Sequence, residues 1–172
     1  MSKVNLSQLN AMDEKEFVIL VGPVFEHSPW IARRAYAQRP FVSVSALHAK
    51  LLQTVLASSQ EEMLALIRAH PDLVGKMARE GGLTPESTAE QRTAGLAALL
   101  PREVELFERY NMDYRERFGF PFVICARENK KEAILAAFPA RLRNNREREI
   151  DAALAEIAKI ARLRLIDLIE ED

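Results

Sequence analysis

Signals for the start of a helix, each followed by apolar residues at helical spacing, recur along most of this chain. Asp13 with Glu16 and Ser59 with Glu62 have the spacing of a capping box, in which two side chains satisfy amides that a helix start leaves free. The pattern predicts an all-α fold of about eight helices. They are expected over residues 14–25, 30–38, 47–56, 59–70, 87–100, 101–117, 129–138 and 145–169.

One segment departs from the helical pattern. Residues 118–126, FGFPFVICA, mix aromatic and β-branched side chains with Gly119 and Pro121, a composition that favours an extended backbone. We expect a short, buried extended segment there. Its backbone N–H and C=O groups would not be committed to a helix, so they could bind the edges of a flat, polar heterocycle.

The length of 172 residues favours a single domain over residues 1–172. Hydrophobic residues make up 48% of the chain, yet no run approaches the roughly 18 apolar residues that cross a bilayer, so we expect no membrane insertion. A net charge of -1 gives no general reason to bind nucleic acid. The expected partner is therefore a small molecule.

The N-terminal residues and the cysteine content predict a cytoplasmic protein. The first residues lack the apolar core of a secretory signal, and the single Cys125 cannot form an internal disulfide. Cys125 lies in an apolar run, so we interpret it as a small core residue and not as a nucleophile. His27, His48 and His70 lack the spacing of a metal site, and no metal is expected.

His70 is the first candidate for chemistry. It precedes Pro71, and a residue before proline is pushed out of helical geometry, so its ring is expected where the chain leaves a helix. A histidine can move protons near neutral pH. The alternative is that His70 only complements the dipole at a helix C-terminus, and position alone favours this alternative.

The segment STAEQ, residues 87–91, is the second candidate. Ser87, Glu90 and Gln91 would place a hydroxyl, a carboxylate and an amide together near a helix start, where free backbone amides could also bind an anionic group. Ser87 with Glu90 also has capping-box spacing, which by itself would explain both residues.

The charged run over residues 141–149 is interpreted as a solvated face.

Arg164 is the third candidate, because it occupies an apolar stripe of the last helix beside Ala161 and Leu168. A guanidinium cannot be buried unpaired. Three interpretations stay open. Arg164 pairs with an acidic residue, its planar fork binds a substrate carboxylate or ureide, or its side chain reaches solvent past Leu165.

Five segments together are similar to the signature of a known family. They are AHPDL, STAEQ, FGFPFVICA, RLRNN and IARLRL, at residues 69–73, 87–91, 118–126, 141–145 and 160–165. Each is weak alone, but in this order and spacing they resemble the 2-oxo-4-hydroxy-4-carboxy-5-ureidoimidazoline (OHCU) decarboxylase family over nearly the whole chain. The resemblance implies an all-α, cofactor-free homodimer that decarboxylates this ureidoimidazoline to (S)-allantoin during urate degradation.

The resemblance also implies roles for individual residues. His70 matches the family's catalytic histidine, Arg164 matches its active-site arginine, and Glu90 matches a substrate-contacting position. We assign proton transfer to His70 and count Glu90 with Arg164 as catalytic, because a carboxylate there would orient the ring or the ureido group. The implied substrate-binding residues are Pro71, Ser87, Thr88, Ala89, Glu90, Gln91, Phe122, Val123, Ile124, Cys125 and Ala126. The alternative is a helical module that binds a ureide or a partner enzyme without chemistry of its own, which would not require His70.

Overall fold

The computed structural model describes residues 3–76 and 80–171, and nine α-helices lie within them. These are α1 (Leu6–Ala11), α2 (Glu14–Val21), α3 (Trp30–Tyr36), α4 (Val44–Leu56), α5 (Gln60–Ala69), α6 (Pro85–Thr93), α7 (Pro101–Phe118), α8 (Lys131–Arg141) and α9 (Arg146–Leu168). Two 3₁₀ turns cover Gly22–Val24 and Ala126–Glu128. The all-α prediction is confirmed. No helix in this described part is both long and apolar enough to cross a bilayer.

The chain also contains a very short sheet that the sequence did not indicate. Strand β1 (Val4–Asn5) pairs in parallel with β2 (Ile169–Glu170), and Val4 lies opposite Ile169. Two residues are too few to produce an alternating apolar pattern, which is why sequence periodicity could not detect either strand.

The capping boxes predicted for two helix starts are present. At the start of α2, the Glu16 N–H donates to Asp13 Oδ1 over 2.8 Å, and the Asp13 N–H donates to Glu16 Oε2 over 3.1 Å. Ser59 and Glu62 make the same exchange before α5. Helix α2 ends at Val21, earlier than predicted, because Gly22 precedes a proline and a 3₁₀ turn replaces the last helical turn.

The predicted limits of the helix over 87–100 were wrong at both ends. Thr84, not Ser87, is the N-cap of α6: its Oγ1 accepts a hydrogen bond of 3.2 Å from the Ser87 N–H, and Pro85 follows at the first helical position. The helix ends at Thr93 because Gly95 adopts a left-handed backbone with φ of 83°. The Leu96 N–H then donates back to Gln91 O over 3.1 Å, which completes a glycine-based helix end.

The described residues group into two compact units, one formed by residues 3–69 with 158–171 and the other by residues 70–157. In the first unit, α2 packs on α3 and α3 packs on α4. Phe17 is fully buried there, with its ring centroid 5.6 Å from that of Tyr36 and 6.0 Å from that of Phe41. A single domain over residues 1–172 stays a prediction.

The second unit is built around the extended segment. Phe120 and Phe122 of this segment are buried, and the Phe122 ring stacks on Phe138 of α8 with centroids 3.9 Å apart. The edge of Phe122 also meets Tyr114 of α7 at 5.3 Å. The non-helical segment predicted for residues 118–126 is present between Gly119, which ends α7 with φ of 78°, and Cys125, whose backbone is extended. Its two ends were wrong, because Phe118 belongs to α7 and Ala126 begins a 3₁₀ turn. Its aromatic side chains form the core between α7 and α8.

Candidate active site

His70 lies directly after the last residue of α5, as its position before Pro71 predicted. The side chain is 7% exposed, and Pro71 is half-buried. The residue therefore leaves the helix inside the protein and not on its outer surface. Burial alone does not distinguish a proton-transfer residue from a histidine that complements a helix end.

One face of α6 contains the polar residues that the sequence singled out. Ser87 and Gln91 are buried at 6% and 8% exposure, and Glu90 is half-buried. These positions are separated by three and four residues, so their side chains lie on the same side of the helix. Thr88 and Ala89 lie on the exposed side, and the Thr88 hydroxyl donates to Thr84 O over 2.9 Å.

The start of α6 corrects the expectation that first-turn amides near Ser87 are open to an anion. The Ser87 N–H already donates to Thr84 Oγ1. Proline at position 85 has no amide proton at all. Any anionic group bound near this helix would therefore need side-chain donors or other backbone amides.

Gln91 connects α6 to the loop that follows His70. Its Oε1 accepts a hydrogen bond of 3.1 Å from the Val74 N–H. At the other end of α6, the Lys131 N–H donates to Ala94 O over 3.1 Å, and α6 packs against the 3₁₀ turn Ala126–Glu128. Within the second unit, α6 thus contacts both the loop after His70 and the end of the extended segment.

The backbone of the extended segment is less available than the sequence suggested. The C=O of Val123 accepts from Arg141 Nη1 over 2.5 Å. The N–H of Cys125 donates to Glu156 Oε2 over 2.8 Å, and its C=O accepts from Asn129 Nδ2 over 2.9 Å. Ile124 lies between them, is half-buried, and has no hydrogen-bond partner for its backbone among the described residues. The backbone of Phe122 and the N–H groups of Val123 and Ala126 likewise have no such partner. The groups excluded from the predicted heterocycle contact are therefore the Val123 C=O and the N–H and C=O of Cys125.

A buried polar cluster holds this segment in place. Glu149 is fully buried and accepts from Arg141 Nε over 2.8 Å, from Asn144 Nδ2 over 2.7 Å and from the Tyr114 hydroxyl. Burial raises the pKa of Tyr114, so the phenol stays protonated and can donate. The interpretation of residues 141–149 as a solvated face was therefore wrong for Arg141 and Glu149. A sequence shows the charges of such a run but not which of them face the core.

Arg164 lies in the first unit, is 4% exposed, and forms an ion pair of 3.1 Å with Glu26, which is 2% exposed. The same Nη1 also donates to Pro23 O over 3.2 Å. Of the three interpretations of Arg164, pairing with an acidic residue is the one observed, and a side chain that reaches solvent is wrong. Glu26 was missed because no local pattern connects it to Arg164.

Cys125 is 1% exposed, and burial raises the pKa of its thiol. We expect the native protein to react very slowly with a disulfide reagent such as dithiobisnitrobenzoate at pH 8. One thiol per chain should react rapidly after unfolding in guanidinium chloride. Absorbance of the released thiolate measures both rates, and rapid labelling of the native protein would contradict a core position for Cys125.

No group of three or more histidine, cysteine, aspartate or glutamate side chains within residues 3–76 and 80–171 is arranged to hold a metal ion. The polar groups predicted for ligand binding that lie in the second unit come from the His70 region, from α6 and from the extended segment. They comprise a titratable ring, a carboxylate and peptide groups, which suit a small polar ligand with several hydrogen-bonding edges.

Comparisons with known proteins agree along the chain. The family model described as OHCU decarboxylase matches residues 10–166. A 2-oxo-4-hydroxy-4-carboxy-5-ureidoimidazoline decarboxylase of Haloferax volcanii is 41% identical over 97% of each chain. A uric acid degradation bifunctional protein of Bacillus subtilis is 43% identical over 96% of this chain, which spans 33% of that longer protein. A crystal structure of (S)-allantoin synthase superposes with a TM-score of 0.77 at 29% identity, over 97% of this chain and 54% of that one.

Proposed function

Because this chain belongs to the OHCU decarboxylase family, we propose that it converts 2-oxo-4-hydroxy-4-carboxy-5-ureidoimidazoline to (S)-allantoin in urate degradation. The observation that carries the proposal is 41% identity across 97% of both chains with a relative of that name. The structural relative named (S)-allantoin synthase supports the same product. The alignment with the Haloferax volcanii relative covers nearly all of both proteins, so the similarity is not limited to one shared segment.

The reaction breaks one C–C bond and makes one bond to hydrogen. Carbon dioxide leaves, the electron pair of the broken bond stays on the ring, and a proton is then added to one face. The ring itself can delocalise that pair, so no cofactor is required as an electron sink. The protein must hold the carboxylate out of the ring plane, stabilise the charge on the ring, and supply the proton from one side.

His70 transfers the proton in this proposal. A histidine can exchange a proton near neutral pH, and the protein around a buried one excludes competing water. His70 lies between the last residue of α5 and the loop that begins at Pro71, so both elements determine where its side chain lies. A proton delivered from a single fixed ring would give one enantiomer of allantoin.

Groups on α6 and in the extended segment bind the ring. Glu90 orients the ring or the ureido group, because a half-buried carboxylate accepts N–H donors well. Ser87 and Gln91 line the same helix face, and the Ile124 N–H and C=O offer a donor and an acceptor to the heterocycle edge. The remaining predicted substrate positions are Pro71, Thr88, Ala89, Phe122, Val123, Cys125 and Ala126.

Arg164 is proposed to bind the substrate carboxylate or another oxygen of the substrate. A guanidinium has five N–H donors in a planar fork, and Nη1 supplies the contacts to Glu26 and Pro23 described above. The carboxylate of Glu26 would keep the fork in one orientation. We further propose a cytoplasmic homodimer of a single domain that binds a small molecule and neither nucleic acid nor membrane.

The function can be tested with substrate generated freshly from urate by urate oxidase and hydroxyisourate hydrolase. Adding the protein should give rapid formation of optically active (S)-allantoin, followed by circular dichroism. Racemic product at the rate of the buffer blank would reject the decarboxylase and leave the binding module. A metal chelator should leave the rate unchanged, and inactivation by it would overturn the cofactor-free mechanism.

A further inference from the structure

The loop that follows His70 is fixed by side chains from two helices at three consecutive residues. Arg115 Nε donates to both carboxylate oxygens of Asp72, over 2.9 and 3.0 Å. Asn111 Nδ2 donates to Leu73 O over 2.8 Å. The Gln91 side chain accepts from the Val74 N–H, as described above. The loop is therefore held at residues two, three and four positions after His70.

Val74, in this anchored loop, has a backbone conformation that valine does not prefer. Its φ is 57°, in the left-handed region that a β-branched residue rarely adopts. The residue is 5% exposed, so the loop cannot relax into solvent without uncovering an apolar side chain. A conformation of this kind persists when neighbouring groups over-determine it, and such conformations cluster at functional sites.

Asn111 is the most informative of the three anchors. The residue is 6% exposed, and its Oδ1 is buried with no hydrogen-bond partner among the described residues. A buried acceptor without a partner lowers stability. An apolar residue of the same size would not have that cost. The feature of asparagine that is used here is thus its Nδ2 donor, which contacts the loop at Leu73 O.

We propose that Asn111 is a positioning residue for the decarboxylation, which acts through Leu73 to hold the loop and so fixes the direction of the His70 ring. This inference rests on the proposed function for its catalytic consequence. Gln91 assists it by holding the Val74 N–H. Asp72 and Arg115 are partly exposed, with side-chain exposures of 25% and 45%, and their ion pair contributes less because water screens it.

The test is Asn111→Leu, with Met112→Ala as the matched control on the same helix. Leucine branches at the same carbon as asparagine and has the same number of side-chain heavy atoms, but it cannot donate to Leu73 O. The replacement removes Asn111 Oδ1, a buried acceptor without a partner, but it also leaves Leu73 O without the donor it has now. Because these two effects offset each other, the melting temperature should change by no more than about 4 °C. A misdirected proton donor should lower kcat by about 10- to 100-fold with KM nearly unchanged. Met112 is 64% exposed, and its replacement should leave both constants unchanged.

A second measurement does not depend on turnover. Hydrogen exchange of the Val74 amide, followed by NMR, should become at least about tenfold faster in Asn111→Leu, because the loop can then open locally. The ring resonances of His70 should shift, whereas those of His27 should not. If wild-type protein lacks decarboxylase activity, the proposed function fails, and these two signals still decide whether Asn111 positions His70.

Two results would overturn the inference. One is wild-type kcat in Asn111→Leu, and the other is a fall in kcat without any change in Val74 exchange or in the His70 resonances. If Asn111→Leu does not fold, Gln91→Met replaces it for the NMR measurements, since methionine keeps the length of the side chain and lacks the acceptor for Val74. Unchanged Val74 exchange in that variant would equally reject the anchored loop.

Discussion

Replacement of His70 by asparagine is expected to lower kcat by about 100- to 10,000-fold, the range typical for loss of a positioned proton donor or acceptor. Asparagine is polar and retains the inner part of the histidine side chain, up to the position of Nδ1, so most of the buried site stays filled. It cannot exchange a proton near neutral pH. The loss should appear in kcat, measured by circular dichroism of the forming allantoin, with far-ultraviolet helix content unchanged.

The control for this experiment is His27→Asn. His27 is exposed and has φ of 47°, a backbone conformation that asparagine tolerates better than most residues, so the same chemical change is made where folding should not suffer. Its kcat should equal that of the wild type. Retained turnover in His70→Asn would show that another group transfers the proton, and equal losses in both variants would point to a general effect on folding.

The second large effect is expected on stability. Glu26→Gln removes the charge that compensates the buried Arg164 and should destabilise the protein by about 3–5 kcal/mol. For a protein of this size, that corresponds to a fall in melting temperature of about 10 °C. Urea unfolding monitored by circular dichroism measures the free energy directly. Activity should fall as well if Glu26 orients a substrate-binding Arg164.

An exposed pair provides the matched comparison. Glu14 contacts Arg33 at 3.6 Å, but both side chains are more than half exposed, at 54% and 64%, so Glu14→Gln should cost less than about 1 kcal/mol. The double variant Glu26→Gln/Arg164→Met should recover much of the lost stability, because no uncompensated charge stays buried. A Glu26→Gln variant as stable as Glu14→Gln would contradict the importance of the buried pair.

Features specified by neighbouring residues could be predicted from the sequence. The capping boxes of Asp13 with Glu16 and Ser59 with Glu62 need only a spacing of three, and both are present. The start of α6 shows the limit of this reasoning. Two N-cap signals lie close together here, Thr84 followed by Pro85 and Ser87 with Glu90. The helix begins after the earlier one, with Thr84 as its N-cap. Local rules do not rank two adjacent signals of the same kind.

Features that depend on distant contacts could not be predicted. Glu26 and Arg164 are 138 residues apart, and only folding brings them together. Asn111 illustrates the same limit at the candidate site, since a single asparagine in a charged helix looks like part of its solvated face. The position of His70 after a helix and the extended segment could be predicted from the sequence, because proline, glycine and aromatic residues determine local backbone conformation.

The division of the chain has a consequence for its assembly on the ribosome. The unit of residues 70–157 is one continuous stretch, whereas the other unit combines residues 3–69 with 158–171. Val4 pairs with Ile169, and the Val44 N–H donates to Glu171 Oε1 over 2.8 Å, so these contacts need the last segment to be synthesised. Chains usually fold from the N-terminus during synthesis. Here residues 70–157 can fold into their unit before residues 158–171, which the first unit needs, have been synthesised.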